Sequence, residues 1–137
     1  MARIEVNTAE QVGKRIVVLH FWSTFSADCG EGLEALQQIG KDYWNHPVKV
    51  YAVNVGESRE TVRDYLKAAG LTVTVLLDEE KSAAALYGVE DLPVTVIVGR
   101  SGFIQHIGAG LGHGYERALR EDLNSLLRGE LLVKIGG

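Results

Sequence analysis

Cysteine is nearly missing from this chain: Cys29 is the single thiol among 137 residues. One thiol closes no disulfide within the chain, and it excludes a structural zinc site built from clustered cysteines. Taken alone, a lone thiol reads as a reducing compartment, an inference that loses its force if a partner cysteine has been replaced. Long apolar runs are absent as well, and no stretch approaches the ~20 continuous apolar residues of a membrane span. A basic excess is also lacking, since 14 Lys and Arg stand against 18 Asp and Glu for a net charge of −4. That balance argues against a nucleic-acid partner, which needs a concentrated cationic face. Residues 1–5 carry neither the charged nor the apolar region of a secretory signal. His46, His106 and His113 are scattered without ligand spacing, so no metal site is expected.

What is present is the balance of a globular protein, with 46% hydrophobic and 23% charged residues. The length suits one domain over residues 1–137, large enough to bury roughly two-thirds of its unfolded surface. Its core is expected over about 4–128, with 129–137 a loosely held tail. Strand and helix signals alternate. Residues 16–21 form a short β-branched run with the length of a buried strand. Beyond Ser26, Cys29, Leu33, Leu36 and Ile39 recur at helical spacing and stop at Gly40. Residues 48–55 read as a second strand. Ser58 reads as the N-cap of a helix with Val62, Tyr65, Leu66 and Ala69 on one face, closed by Gly70.

A third strand is expected over 71–77 and a short helix over 80–87. Residues 94–98 and 103–107 flank Gly99-Arg100-Ser101-Gly102, which reads as a hairpin turn. A last helix carries Tyr115, Leu119, Leu123, Leu126 and Leu127 along one stripe. Strands joined by helical crossovers should be parallel, and the hairpin adds an antiparallel pair, giving an α/β sheet covered on both faces. The glycine-rich stretch 108–114 invites comparison with a phosphate-binding loop, but His113 stands where the third glycine of G-x-G-x-x-G belongs. It reads as a strand-to-helix connection.

Phe21-Trp22-Ser23-Thr24-Phe25-Ser26-Ala27-Asp28-Cys29 resembles the thioredoxin signature, an apolar strand running into F-W-A-x-W-C-x-x-C. Residues 87–95, centred on Leu92 and Pro93, resemble the segment that holds the cis-proline of that family. The extra strand–helix unit from Val48 to Gly70 resembles the insertion of TlpA/ResA-type thioredoxins. The resemblance covers about residues 4–128. It implies a thioredoxin fold, a central mixed β-sheet flanked by helices. It also implies thiol–disulfide exchange with a protein partner, without a cofactor and in an extracytoplasmic setting, although no signal segment marks this chain for one and a cytoplasmic setting stays open.

The departures bear on chemistry. Ser26 stands at the position of the nucleophilic first cysteine, Phe25 replaces a tryptophan, and Glu34 stands where relatives often carry a helix-kinking proline. A serine hydroxyl stays protonated near neutrality and forms no exchangeable bond with sulfur, so the two-thiol cycle is broken. Ser26 is also a good N-cap residue, and Cys→Ser is a common engineered change; both readings stay open. Cys29 is either the resolving thiol, with Ser26 as a hydrogen-bond donor, or a buried small hydrophobe.

The resemblance assigns substrate contact to Trp22, Phe25, Ala27, Asp28, Leu92 and Pro93, with Leu92–Pro93 cis and beside Cys29. Trp22 has a second reading as ordinary core. His20 occupies the place of a carboxylate or amide beneath the second cysteine. It is either a proton relay or a satisfied structural histidine, the latter being commoner at the end of an apolar strand. Two further functions remain. Ser26-Ala27-Asp28-Cys29 resembles the T-x-x-C of single-cysteine peroxidases, although Trp22 stands where their proline belongs. A non-catalytic binding module on the same fold is the other.

Overall fold

The computed structural model describes residues 2–3, 15–26, 28–109 and 114–130. Along the chain these form β1 (Ala2–Arg3), β2 (Ile16–Trp22), α1 (Cys29–Asp42), β3 (Val48–Val55) and α2 (Arg59–Ala69). They continue as β4 (Val75–Asp78), α3 (Ser82–Leu86), β5 (Val94–Val98), β6 (Ile104–Ala109) and α4 (Tyr115–Leu127). The sheet order is β1-β4-β3-β2-β5-β6. Every side chain of β2 is buried, as befits a central strand with neighbours on both edges and helices on both faces. It pairs in parallel with β3, Ile16 opposite Val48 through Trp22 opposite Asn54. It pairs antiparallel with β5, Val17 opposite Val98 through Phe21 opposite Val94.

Alternation along β2 divides the core. Ile16, Val18 and Trp22 face Leu33, Leu36 and Ile39 of α1, Val62 and Leu66 of α2, and Leu119 and Leu123 of α4. Val17, Leu19 and Phe21 face the other way, against Ala83 and Ala84 of α3 and Val94 and Val96 of β5. Tyr43 ties α1 to α4 through a 2.7 Å bond from its hydroxyl to Asn124 Oδ1, and Arg120 Nη2 lies 2.8 Å from Asp42 Oδ2. Among the described residues, no helix is long and apolar enough to cross a membrane.

The mixed thioredoxin-type sheet expected from the sequence is the one observed, and Ser58 does cap α2, its hydroxyl accepting from Thr61 N–H. Several boundaries differ. The strand expected from Leu71 begins at Val75, because Thr72 N–H turns to Gln37 Oε1 at 2.5 Å and the ladder to β3 opens only where Ala52 N–H meets Thr74 O. The helix expected over 80–87 is confined to Ser82–Leu86; the Asp78 carboxylate accepts from Ala83 and Ala84 N–H and so fixes its start. Helix α1 passes Gly40, where it was expected to stop, and runs as one helix to Asp42.

The sheet itself includes residues before 4, since β1 pairs Ala2 with Leu76 and Arg3 with Leu77. Two residues are too few for any periodicity to announce. The first two residues of the expected loose tail, Gly129 and Glu130, are bonded back to α4. Gly129 N–H bonds Leu126 O and Glu130 N–H bonds Ser125 O, while 131–137 lie outside the described residues. So do 110–113, most of the glycine-rich stretch and His113 with it.

Candidate functional site

At the end of β2 the chain leaves the sheet and turns. Ser26 N–H bonds Ser23 O at 3.0 Å. The Ser26 hydroxyl donates to Ser23 O at 2.7 Å and accepts from Ser23 N–H at 3.2 Å. The N-cap reading of Ser26 is thereby corrected: its oxygen closes the turn behind it, not the helix ahead. The cap position belongs to Asp28, at φ 52° and without a side-chain cap bond. Aspartate is among the few non-glycine residues that enter this left-handed region with any frequency. Phe25, at the crest of the turn, is 92% exposed. Ala27 lies outside the described residues.

The turn is held from outside by Glu57, which follows β3. Its Oε1 accepts from Thr24 N–H and from Asn54 Nδ2, each at 2.8 Å, and its Oε2 accepts from the Thr24 hydroxyl at 2.5 Å. One carboxylate thus takes both donors of a single loop residue, a charge-assisted pair. Cys29, the first residue of α1, is 9% exposed. Its Sγ lies 3.1 Å from the Tyr65 hydroxyl and 3.9 Å from Thr24 O. The Tyr65 phenol is pushed up to about 12, first by its hydrogen bond with Cys29 and then by burial.

Beneath the turn, Trp22 is fully buried and its ring meets that of Tyr65 at 5.6 Å. The reading of Trp22 as a substrate contact is corrected accordingly, since a ring without exposed surface supports the site from behind. Leu92 and Pro93 come to the same end of the sheet: the β2–β5 ladder stops at Phe21 opposite Val94, so one further step sets Pro93 against Trp22. The Leu92–Pro93 peptide bond is cis. Leu92 is half-buried and Pro93 buried, which leaves Leu92, Asp28 and Phe25 as the accessible members of the expected contact set among the described residues.

His20 is buried within the sheet on the same face as Trp22. Its Nδ1 lies 3.0 Å from Thr95 Oγ1 and 3.2 Å from the Tyr115 hydroxyl, which themselves are 2.7 Å apart. Burial pulls the imidazole down to about 4 and pushes the Tyr115 phenol up to about 12. His20 Nε2 has no partner among the described residues, so the ring is only half satisfied. No group of three His, Cys, Asp or Glu that could hold a metal occurs among those residues.

The sequence singled out Ser26, Cys29, His20 and the Leu92–Pro93 pair as candidates; Glu57, Tyr65, Thr95 and Tyr115, which the structure places against them, it did not single out as site residues. Tyr65 had been seen only as part of an apolar helix face. Glu57 carried one faint signal, an acidic residue wedged between a strand end and an N-cap.

The AhpC/TSA family model matches residues 2–107. Thiol-disulfide oxidoreductase ResA of Bacillus subtilis is 30% identical over 108 residues, covering 79% of this chain and 59% of that protein. Its namesake in Halalkalibacterium halodurans is 26% identical over 127 residues, 93% of this chain and 69% of the relative. The chain thus spans a little over half of the Bacillus subtilis relative's length. Among solved structures, a thiol:disulfide interchange protein DsbE from Chlorobium tepidum superposes with a TM-score of 0.79 at 23% identity, covering 87% of this chain and 84% of that one. StoA from Bacillus subtilis gives 0.69 at 23%, covering 79% and 81%. These last two speak to the fold.

Proposed function

The chain belongs to the AhpC/TSA family, and from that premise we propose that it is a thiol–disulfide oxidoreductase domain for protein disulfides whose site lacks its first sulfur. The observation that carries the reading is the arrangement at the head of α1: Ser26 closes the turn and Cys29 opens the helix three residues later. A nucleophile at position 26 would stand just before the unpaired N–H groups of a helix terminus, where a thiolate is stabilised. It would attack a partner disulfide, and the Cys29 thiolate would displace the partner from the resulting mixed disulfide. Serine cannot begin that sequence. Phe25, Asp28 and Leu92 would form the accessible contact surface, and His20 is a positioning residue under it at most, because an imidazole near 4 is a weak base at neutral pH.

The experiment is Ser26→Cys, assayed for reduction of a protein disulfide by a small thiol beside the given chain. Turnover in the variant alone is the expected result, with a gain of at least about tenfold. A folded variant whose dithiol oxidises yet gains nothing would overturn the reading in favour of a binding module.

A further inference from the structure

We propose that the Tyr65 hydroxyl activates the Cys29 sulfur, donating the hydrogen bond that stabilises its thiolate, an inference that rests on the thiol-exchange reading of this site. Helix α2 buries Val62 and Leu66 and carries Tyr65 on the flank of that stripe. The Trp22 ring fixes the phenol from one side at 5.6 Å. Gly30 lies on another, where even a Cβ would make only ordinary contact with the Tyr65 oxygen, at 3.4 Å. The hydroxyl then arrives 3.1 Å from Sγ.

The direction of the bond to the ionised sulfur follows from its proton count. A thiolate has no proton to give, so the Tyr65 hydroxyl donates to it, while Thr24 O, at 3.9 Å, only accepts. When the thiol ionises, the carbonyl has nothing to offer a thiolate and the phenol remains. A phenol held near 12 keeps its proton throughout the neutral range and serves as a donor at every working pH. Glu57 adds to this by fixing Thr24, whose carbonyl lies 3.9 Å from the sulfur.

In the Ser26→Cys form the Cys29 thiolate attacks the sulfur at position 26 within a mixed disulfide. An S–S bond forms between positions 26 and 29, and the bond to the partner sulfur breaks. The electron pair leaves on the partner thiolate, which takes a proton from water. The Tyr65 proton stays on its oxygen.

The test reads the sulfur without relying on turnover. Iodoacetamide is small enough to probe a thiol that is 9% exposed. Tyr65→Phe keeps the ring against Trp22 and should slow alkylation of Cys29 about three- to tenfold near neutral pH, because a charge-assisted bond to the thiolate is lost. By reciprocity, Cys29→Ala should lower the titration midpoint of Tyr65, followed by NMR of ring-labelled tyrosine. An unchanged alkylation rate in a folded Tyr65→Phe, or an unmoved Tyr65 titration, overturns the assignment. In the Ser26→Cys background, Tyr65→Phe should slow exchange by a similar factor. Slowed alkylation beside an inactive Ser26→Cys would confirm the Tyr65 contact and count against the exchange reading alone.

Discussion

At the scale of a residue, His20 is where burial decides chemistry. Its ring is 0% exposed, its Nδ1 is engaged by Thr95 and Tyr115, and burial pulls its protonation down to about 4. In the unfolded chain a histidine protonates near 6.5, so between about 6.5 and 4 the unfolded state binds a proton that the folded state refuses. Stability contributed by the neutral ring is therefore present above about 6.5 and lost as pH falls toward 4. The slope is at most about 1.4 kcal/mol per pH unit, on the order of 3 kcal/mol across the window. Thr95 does not titrate and Tyr115 holds its proton to about 12, so His20 is the only member of that trio that responds. His20→Asn should flatten the slope, seen as urea midpoints measured near pH 7 and near pH 5. Parallel losses in both proteins would assign the slope to carboxylates instead. The sequence displayed the histidine but not its partners, 75 and 95 positions away, because the sheet register brings Thr95 beside it and the packing of α4 brings Tyr115.

At the scale of an element, the β3–α2 unit reaches across to the loop that precedes α1. Glu57 holds Thr24 at two points, and Tyr65 meets Cys29. Glu57→Ala would leave the Thr24 amide, its hydroxyl and Asn54 Nδ2 without their acceptor, at a cost of about 2 kcal/mol. Glu57→Gln retains one oxygen and should lose about half of that. Hydrogen exchange at the Thr24 amide checks the mechanism: protection should collapse in the alanine variant and survive in part in the glutamine one. Equal protection in both would show that the loop is held by other means. The strand–helix unit itself was legible, since an alternating run and a Ser58 cap need only local pattern. The clamp was not, because it joins positions 33 residues apart through a loop whose shape no periodicity encodes. For the same reason the sequence pattern overextends β4, since Thr72 is diverted to Gln37 by a side-chain contact from α1.

At the scale of the whole molecule, one strand serves two cores. Leu19 points into the cluster under α3, while Leu36 of α1 fills the cluster on the opposite face, and both are fully buried. Because β2 lies between them, neither cluster can lose its packing without exposing the strand that seals the other. The chain is short enough for all-or-none unfolding, so the two faces should melt together. Leu36→Ala and Leu19→Ala should each cost about 2–5 kcal/mol and lower the urea midpoint without changing the slope of the transition. Trp22 reports the first face, since it is buried there and the other tryptophan, Trp44, is 81% exposed in the folded state. The ring pair of Phe21 and Tyr87, 5.8 Å apart, reports the second through the Tyr87 resonance in NMR of ring-labelled tyrosine. Coincident curves from both signals in both variants are expected. A Leu19→Ala protein that loses the Phe21–Tyr87 signal at lower urea than its tryptophan signal would mean that the α3 face opens separately, and the site at the head of α1 would then rest on the first core alone.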